Sequence, residues 1–239
     1  MPRGPCRSAV PVVGLVGTVC SGKSTVARMM AEDGLEVVDA DKIGHEVLER
    51  PEVKIELRRT FGDDVFGPDG AVDRARLGRL VFGCQARLDR LNEIVHRPML
   101  EEIDRRVRRA AERAGGRPVV LDMALLIEKG LHEKYCDLLV FVDAPVAVRQ
   151  ARAQRTRGWS AEELVQRDAV QMAAELKRQQ ADFVIVNSDT VEELQNAVRI
   201  LMDQIRQRLS ISPGQAARPN RAGPSQRGRS ASGHTHKRR

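Results

Sequence analysis

The chain has 239 residues, 41 % of them hydrophobic, enough for one α/β domain with a buried core and an insertion. Aromatic residues make up only 3 %, so a base-stacking nucleic-acid platform is poorly supplied. The net charge of +7 resides in one place: residues 212–239 carry seven Lys or Arg and no Asp or Glu, so residues 1–211 are neutral overall and the high pI says little about the folded part.

Four cysteines, Cys6, Cys20, Cys84 and Cys136, form no Cys-x-x-Cys pair, and no histidines stand at zinc spacing, which fits a reducing, cytoplasmic setting. No apolar run reaches the length of a membrane span. The apolar stretch 9–16 is too short for a secretory segment and runs straight into a glycine turn, so it reads as a strand, with residues 1–8 as a loose extension.

In chain order, short apolar β-branched runs at 12–16, 35–38, 118–121, 138–142 and 183–186 read as strands buried on both faces. Helical patterns separate them: 24–32; a long region 75–113 in which Pro98 is expected to interrupt the helix; 160–178, opened by the capping-box pattern Ser160-Ala-Glu-Glu163; and 191–209. Strands alternating with helices predict a doubly wound α/β fold with a five-stranded parallel sheet. The gap of about eighty residues before the third strand exceeds one βαβ crossover. It predicts a helical subdomain over about 42–114. Residues 212–239, rich in Gly, Ser, Pro and Arg, cannot repay their ordering entropy by burial and read as a disordered basic tail.

After the first strand, Gly17-Thr-Val-Cys-Ser-Gly22-Lys23-Ser24 matches G-x-x-x-x-G-K-[ST], with a strand before it and a helix after it. Glycines allow the backbone to fold so that several N–H groups face one anion, and the next helix points its N-terminus there too. Lys23 can then reach β- and γ-phosphates and the Ser24 hydroxyl can ligate Mg²⁺. The stretch reads as a site for a nucleoside triphosphate with Mg²⁺. A guanine-reading Asn-Lys-x-Asp is missing, which excludes the GTPase pattern, and the length is small for a helicase. A small-molecule kinase remains.

Asp39 and Asp41 follow the second strand, at the end of the sheet where ligands bind in open α/β folds. They can orient Mg²⁺ or accept a proton from an attacking hydroxyl; either could instead cap the helix starting near Lys42. Asp122 ends the third strand, a place for a carboxylate that meets the metal's water shell. Arg149, Arg152, Arg155 and Arg157 precede the capped helix and fit a lid over about 149–178 that closes on phosphates; a solvated helix face is the alternative.

These residues resemble the dephospho-coenzyme A kinase family over about residues 11–205. The likeness rests on the P-loop and on "VVDADKIGHEV", "FGDDVFGPDGAVDRARLGRLVF", "IVHRPML", "VVLDMALLIE", "RTRGWSAEELVQRDAVQ" and "ADFVIVNSD", in that order and spacing. The resemblance implies a P-loop NTPase fold with a helical substrate-binding insertion and a lid, within a kinase domain at 1–211. It implies transfer of the ATP γ-phosphate to the ribose 3′-hydroxyl of dephospho-coenzyme A. It further implies that Val19, Cys20, Ser21, Gly22, Lys23, Ser24 and Thr25 bind ATP, and that Asp41 is the base with Asp39 organising metal or substrate. Leu125 and Leu126 would line the acceptor pocket, His96 and Pro98 would correspond to a His-Pro motif here split by Arg97, and Asn187 would sit near the adenine. Thr18 and Cys20 replace family glycines, Ala124 replaces a proline, and a positive φ at position 20 would strain cysteine.

The expected protein is a monomer or weak oligomer. The rivals are another small P-loop kinase acting on a nucleotide or metabolite, and a nucleic-acid-associated ATPase using the basic tail. Truncation after Ile211 separates the last: any nucleic-acid binding disappears, having fallen steeply with salt, while kinase activity persists.

Overall fold

The computed structural model describes residues 9–81, 84–188 and 190–210. The expected N-terminal extension, Cys6 and the basic tail lie outside the described residues.

Five strands form one parallel sheet: β1 (Val12–Gly17), β2 (Glu36–Asp39), β3 (Val119–Asp122), β4 (Leu138–Asp143) and β5 (Phe183–Val186), in the order β2-β3-β1-β4-β5. The sequence-based expectation of a five-stranded parallel sheet holds, with each strand within one residue of its expected limits. Because β1 is flanked by β3 and β4, the chain changes direction across the sheet at its carboxyl end, which opens a crevice there.

Alternation along each strand divides the apolar residues between two layers. Val13 and Leu15 of β1, Val120 of β3 and Val140 of β4 face α1 (Lys23–Glu32) and the last helix, Val191–Ser210. Val12, Val16, Leu121 and Phe141 face the opposite way, into a core shared with the helical insertion. That insertion comprises α2 (Ala40–Leu48), α3 (Pro51–Phe61), α4 (Arg74–Val81) and the 29-residue α5 (Gln85–Arg113). Ile43, Leu57, Ile103 and Val107 carry the core into it, so it packs directly on the sheet.

Two helix expectations are corrected. Pro98 lies inside α5 without ending it. Proline removes one backbone donor but its φ is helical, and Val95, Met99, Leu100 and Ile103 pack on the core on both sides of it, holding the axis. The region 160–178 is two helices, not one. After α6 (Leu131–Tyr135) and α7 (Val146–Arg157) come α8 (Ala161–Asp168) and α9 (Ala174–Gln180). The capping box is present as read: Ser160 accepts from Glu163 N at 3.2 Å and Glu163 accepts from Ser160 N at 2.8 Å. The helix breaks at 169–173 because a tertiary acceptor replaces a helical one: Met172 N donates to Glu128 Oε1 at 2.9 Å. The last helix is α10 (Val191–Ser210).

One charged cluster ties the insertion together. Glu102 on α5, only 3 % exposed, accepts from Arg50 at the start of α3, from Arg105, and from Arg106 at 2.8 Å. Arg106 also pairs with Glu46 on α2. Burial pushes Glu102 up, but the hydrogen bonds from Arg105 and Arg106 outweigh it and hold the carboxyl below the usual glutamate range. A group lowered in this way stabilises the fold above its unfolded pKa, and loses that contribution as pH falls through the folded value. Glu102→Gln is expected to cost about 3 kcal/mol near neutrality, the low end for a broken buried pair because the arginines can turn to water. The deficit in chemical unfolding is expected to shrink as pH falls through the lowered folded value, where the wild-type carboxyl itself protonates.

Candidate active site

The loop after β1 wraps tightly. Gly17 has no room for a side chain: a Cβ there would meet Ser21 Oγ at 2.7 Å and Val142 O at 2.9 Å. Gly22 has φ +89°, and a Cβ on it would strike Asn187 Nδ2. Between them Cys20 stands at φ +61°, the only non-glycine with positive φ among the described residues. The strain anticipated at this position is therefore present. A left-handed L-residue costs about 1–2 kcal/mol, partly offset in a glycine variant by about 0.4–1 kcal/mol of extra unfolded-state entropy. Cys20→Gly is expected to raise Tm by a few degrees, about 2–4 °C per kcal/mol for a chain of this size, read by differential scanning calorimetry.

The loop's carbonyls are held from outside by three cations and an amide. Gly17 O accepts from Lys177 Nζ at 3.4 Å. Val19 O accepts from Arg149 Nη1 at 3.2 Å. Ser21 O accepts from Arg152 Nη1 at 3.2 Å and from Asn187 Nδ2 at 2.7 Å, while Asn187 Oδ1 takes Arg152 Nη2 at 2.9 Å. Thr18 N donates to Val142 O at 3.3 Å and Ser21 N to Thr18 O at 3.1 Å; with alternate carbonyls engaged outward, the loop's other N–H groups are available for an anion. Burial lowers the pKa of Arg152, and the neighbouring charge of Arg155 adds to this. Arg149 and Arg152 thus spend their guanidinium groups on the loop itself, with Arg149 also bonded to Asp168 at 2.7 Å. Arg155 and Arg157 end α7 exposed, and Arg157 from α7 and Arg167 from the last turn of α8 both stack against the Trp159 ring, 4.6 and 3.7 Å from its centroid.

Opposite the loop lie the carboxylates. Register pairs Asp39 of β2 with Asp122 of β3, side by side at the carboxyl edge of the sheet. Asp122 is 5 % exposed and ion-paired with Lys23. Burial pushes its carboxyl above the usual aspartate range; Lys23 opposes that, while Asp39 and Asp41 add to it. Asp39 is the N-cap of α2, accepting from Lys42 N at 2.8 Å. Its capping reading is therefore realised, although one carboxylate oxygen is left over. Asp41 sits in the first turn of α2, exposed to the crevice.

A cavity of about 630 Å³ joins these parts. Gly17 to Thr25, Asp41, Arg152, Arg155, Arg157 and Asn187 line it together. Asp122 is paired with the cavity-lining Lys23, and Asp39 stands next to it in register, close enough to push its carboxyl up. His96 is exposed on α5, Leu125 is half-buried, and Leu126 is wholly buried in the core; none of the three lines this cavity. Lys177 and Asp143 were not singled out from the sequence. Asp143 accepts from Thr18 Oγ1 at 3.4 Å and from Arg178 at 2.5 Å, fixing the loop's other side.

Known proteins with this architecture are found by sequence and by structure. The family model described as dephospho-CoA kinase matches residues 11–193. The dephospho-CoA kinase of Thermobifida fusca is 40 % identical over 198 residues, covering 82 % of this chain and 97 % of its own. That of Deinococcus radiodurans is also 40 % identical, over 193 residues, covering 81 % and 91 %. Among solved structures, TT1252 from Thermus thermophilus superposes with a TM-score of 0.70 at 32 % identity, covering 83 % of this chain and 97 % of that one. A dephospho-CoA kinase from Campylobacter jejuni gives 0.58 at 20 % identity, a likeness of fold, covering 81 % and 96 %. Match, coverage and the loop at the end of β1 agree: this chain belongs to the dephospho-CoA kinase family.

Proposed function

We propose that the protein transfers the γ-phosphoryl group of ATP to the ribose 3′-hydroxyl of dephospho-coenzyme A, giving coenzyme A and ADP. The observation that carries this reading is the meeting, in one cavity, of a complete phosphate-binding loop and a carboxylate free to face an acceptor hydroxyl, Asp41. Phosphoryl transfer needs little covalent help from protein and much positioning and charge stabilisation. The loop N–H groups and Lys23 hold the β- and γ-phosphates; of the three ammonium protons, one is used by Asp122 and two remain. Asp41 orients the 3′-hydroxyl and takes its proton. Arg155 and Arg157, the arginines not committed to loop carbonyls, meet the transferring phosphoryl group as α7 and α8 close. The acceptor lies against the insertion at about 42–114, and the segment at about 149–178 acts as the lid.

The donor set fits Mg²⁺. Asp39 and Asp41 both add to the negative charge felt by Asp122, which Lys23 partly offsets, and the Ser24 hydroxyl stands in the first turn of α1; no three ligating side chains close on one point among the described residues, so phosphate and water would supply the remaining donors. Hard oxygen donors from one or two carboxylates plus phosphates and water are what Mg²⁺ takes. Ser24 and one of Asp39 or Asp122 would hold it. Bound there, it would neutralise charge between the β- and γ-phosphates.

Release of ADP across an acceptor panel tests the assignment. Dephospho-coenzyme A is expected to exceed pantetheine and nucleoside monophosphates in kcat/KM, because binding energy from the remote parts of the acceptor is turned into rate. Equal turnover of a nucleoside monophosphate would move the protein to another class of small kinase.

A further inference from the structure

Lys177 is the most deeply buried charged side chain among the described residues, with no exposed surface at all. Its ammonium meets an oxygen on each of three segments, two by hydrogen bonds and one by an ion pair. Gly17 O lies at 3.4 Å in the phosphate loop, Glu128 Oε1 at 2.9 Å in the connection between β3 and α6, and Gln171 Oε1 at 2.8 Å in the break between α8 and α9. Glu128 depends on this partner: its Oε1 also accepts Met172 N, and its Oε2 is buried with no hydrogen bond.

A buried ion pair contributes little net stability, since an apolar pair of the same volume does as well. The stability of the fold therefore does not explain a lysine here, whereas its two hydrogen bonds and one ion pair to three separate segments do. Residues 123–130 follow Asp122 and include Ala124 on the cavity wall, so Glu128 belongs to the acceptor side. Gln171 belongs to the lid segment and Gly17 to the nucleotide side. We infer that Lys177 is a positioning residue for phosphoryl transfer: it fixes the phosphate loop to the β3–α6 connection and the α8–α9 break, so that nucleotide, acceptor and lid come into register. This rests on the kinase reading above for its kinetic part, and on the phosphate loop alone for its binding part.

The test uses the full chain with three variants: Lys177→Met, the double variant Lys177→Met with Glu128→Gln, and Glu128→Gln alone. Thermal unfolding, the Kd of a fluorescent ATP analogue, and kcat and KM for ATP and dephospho-coenzyme A are measured for each. Lys177→Met is expected to lose both melting temperature and affinity. The double variant removes the unpaired carboxylate and is expected to regain melting temperature but not catalysis, staying about 10²-fold down in kcat/KM for ATP, the cost of a small displacement of reacting groups. Glu128→Gln, whose side chain does not line the cavity, is expected to weaken the nucleotide about 3- to 10-fold through Lys177. A double variant that binds and turns over within about twofold of wild type would show a merely structural pair and overturn the inference. Should the double variant not fold, an unchanged nucleotide Kd in Glu128→Gln overturns it equally. If wild type binds nucleotide without phosphorylating dephospho-coenzyme A, the kinase reading falls, and the nucleotide Kd values still decide the role of Lys177.

Discussion

Lys23→Met is expected to lower kcat by about 10²–10³, the cost of removing one preorganised charge at the site where charge develops. Methionine keeps the length of the stem, but the variant is expected to be less stable as well, because Lys23 is only 13 % exposed and its loss leaves the buried Asp122 without its ion-pair partner. The second consequence is electrostatic. Asp122 is already raised by burial, with Lys23 as the first force pulling it down. Without that ammonium the carboxyl rises further, since Asp39 and Asp41 continue to push it up. A carboxyl raised in the folded state stabilises the protein below its unfolded pKa and loses that contribution as pH rises through the folded value. The variant is therefore expected to lose stability relative to wild type as pH climbs, and Asp122→Asn added to it is expected to remove that trend. Isotope-detected carboxyl titration by NMR and urea unfolding at several pH values check both.

Asp41→Asn is expected to lower kcat by about 10²–10⁴, the range for a positioned general base, with nucleotide Kd moving less than about threefold. Asparagine keeps the shape and the first-turn position on α2 but cannot take the proton. Asp39→Asn provides the contrast. Asparagine caps helices about as well as aspartate, and the Asp39 oxygen already bonded to Lys42 N survives as an amide oxygen. Its loss is expected to appear first as a higher metal requirement for turnover. Single-turnover kinetics with saturating acceptor separate the two, because they read the chemical step without product release. An Asp41→Asn enzyme within about tenfold of wild type in that experiment would remove the base from this residue.

The parallel sheet and the phosphate loop were legible because their information is local. Apolar runs of four or five residues mark strands buried on both faces, and the loop's eight residues are contiguous. Even the strain at Cys20 could be read, since only the backbone of that loop decides it. Asp39 was ambiguous for a physical reason: a carboxylate that caps a helix and one that meets a metal are the same residue at the same place, and here the cap is made. The arginine run was legible as a cluster but not in its division of labour. Whether a guanidinium meets a carbonyl or a phosphate depends on a loop 130 residues away. Lys177 was invisible for the same reason, with 160 residues between it and Gly17. The break at 169–173 follows from Glu128, and the continuity of α5 through Pro98 follows from the core on both sides; tertiary contacts outvoted local signals in each.

The most direct measurement of the central claim is ³¹P NMR of the purified protein with ATP, Mg²⁺ and dephospho-coenzyme A, run beside the same mixture lacking the acceptor. A new 3′-phosphomonoester resonance growing in step with ADP, and only when acceptor is present, is the expected result and fixes both the reaction and the hydroxyl that receives the phosphate. ATP that stays intact with dephospho-coenzyme A present, or that is hydrolysed equally without it, would contradict the assignment.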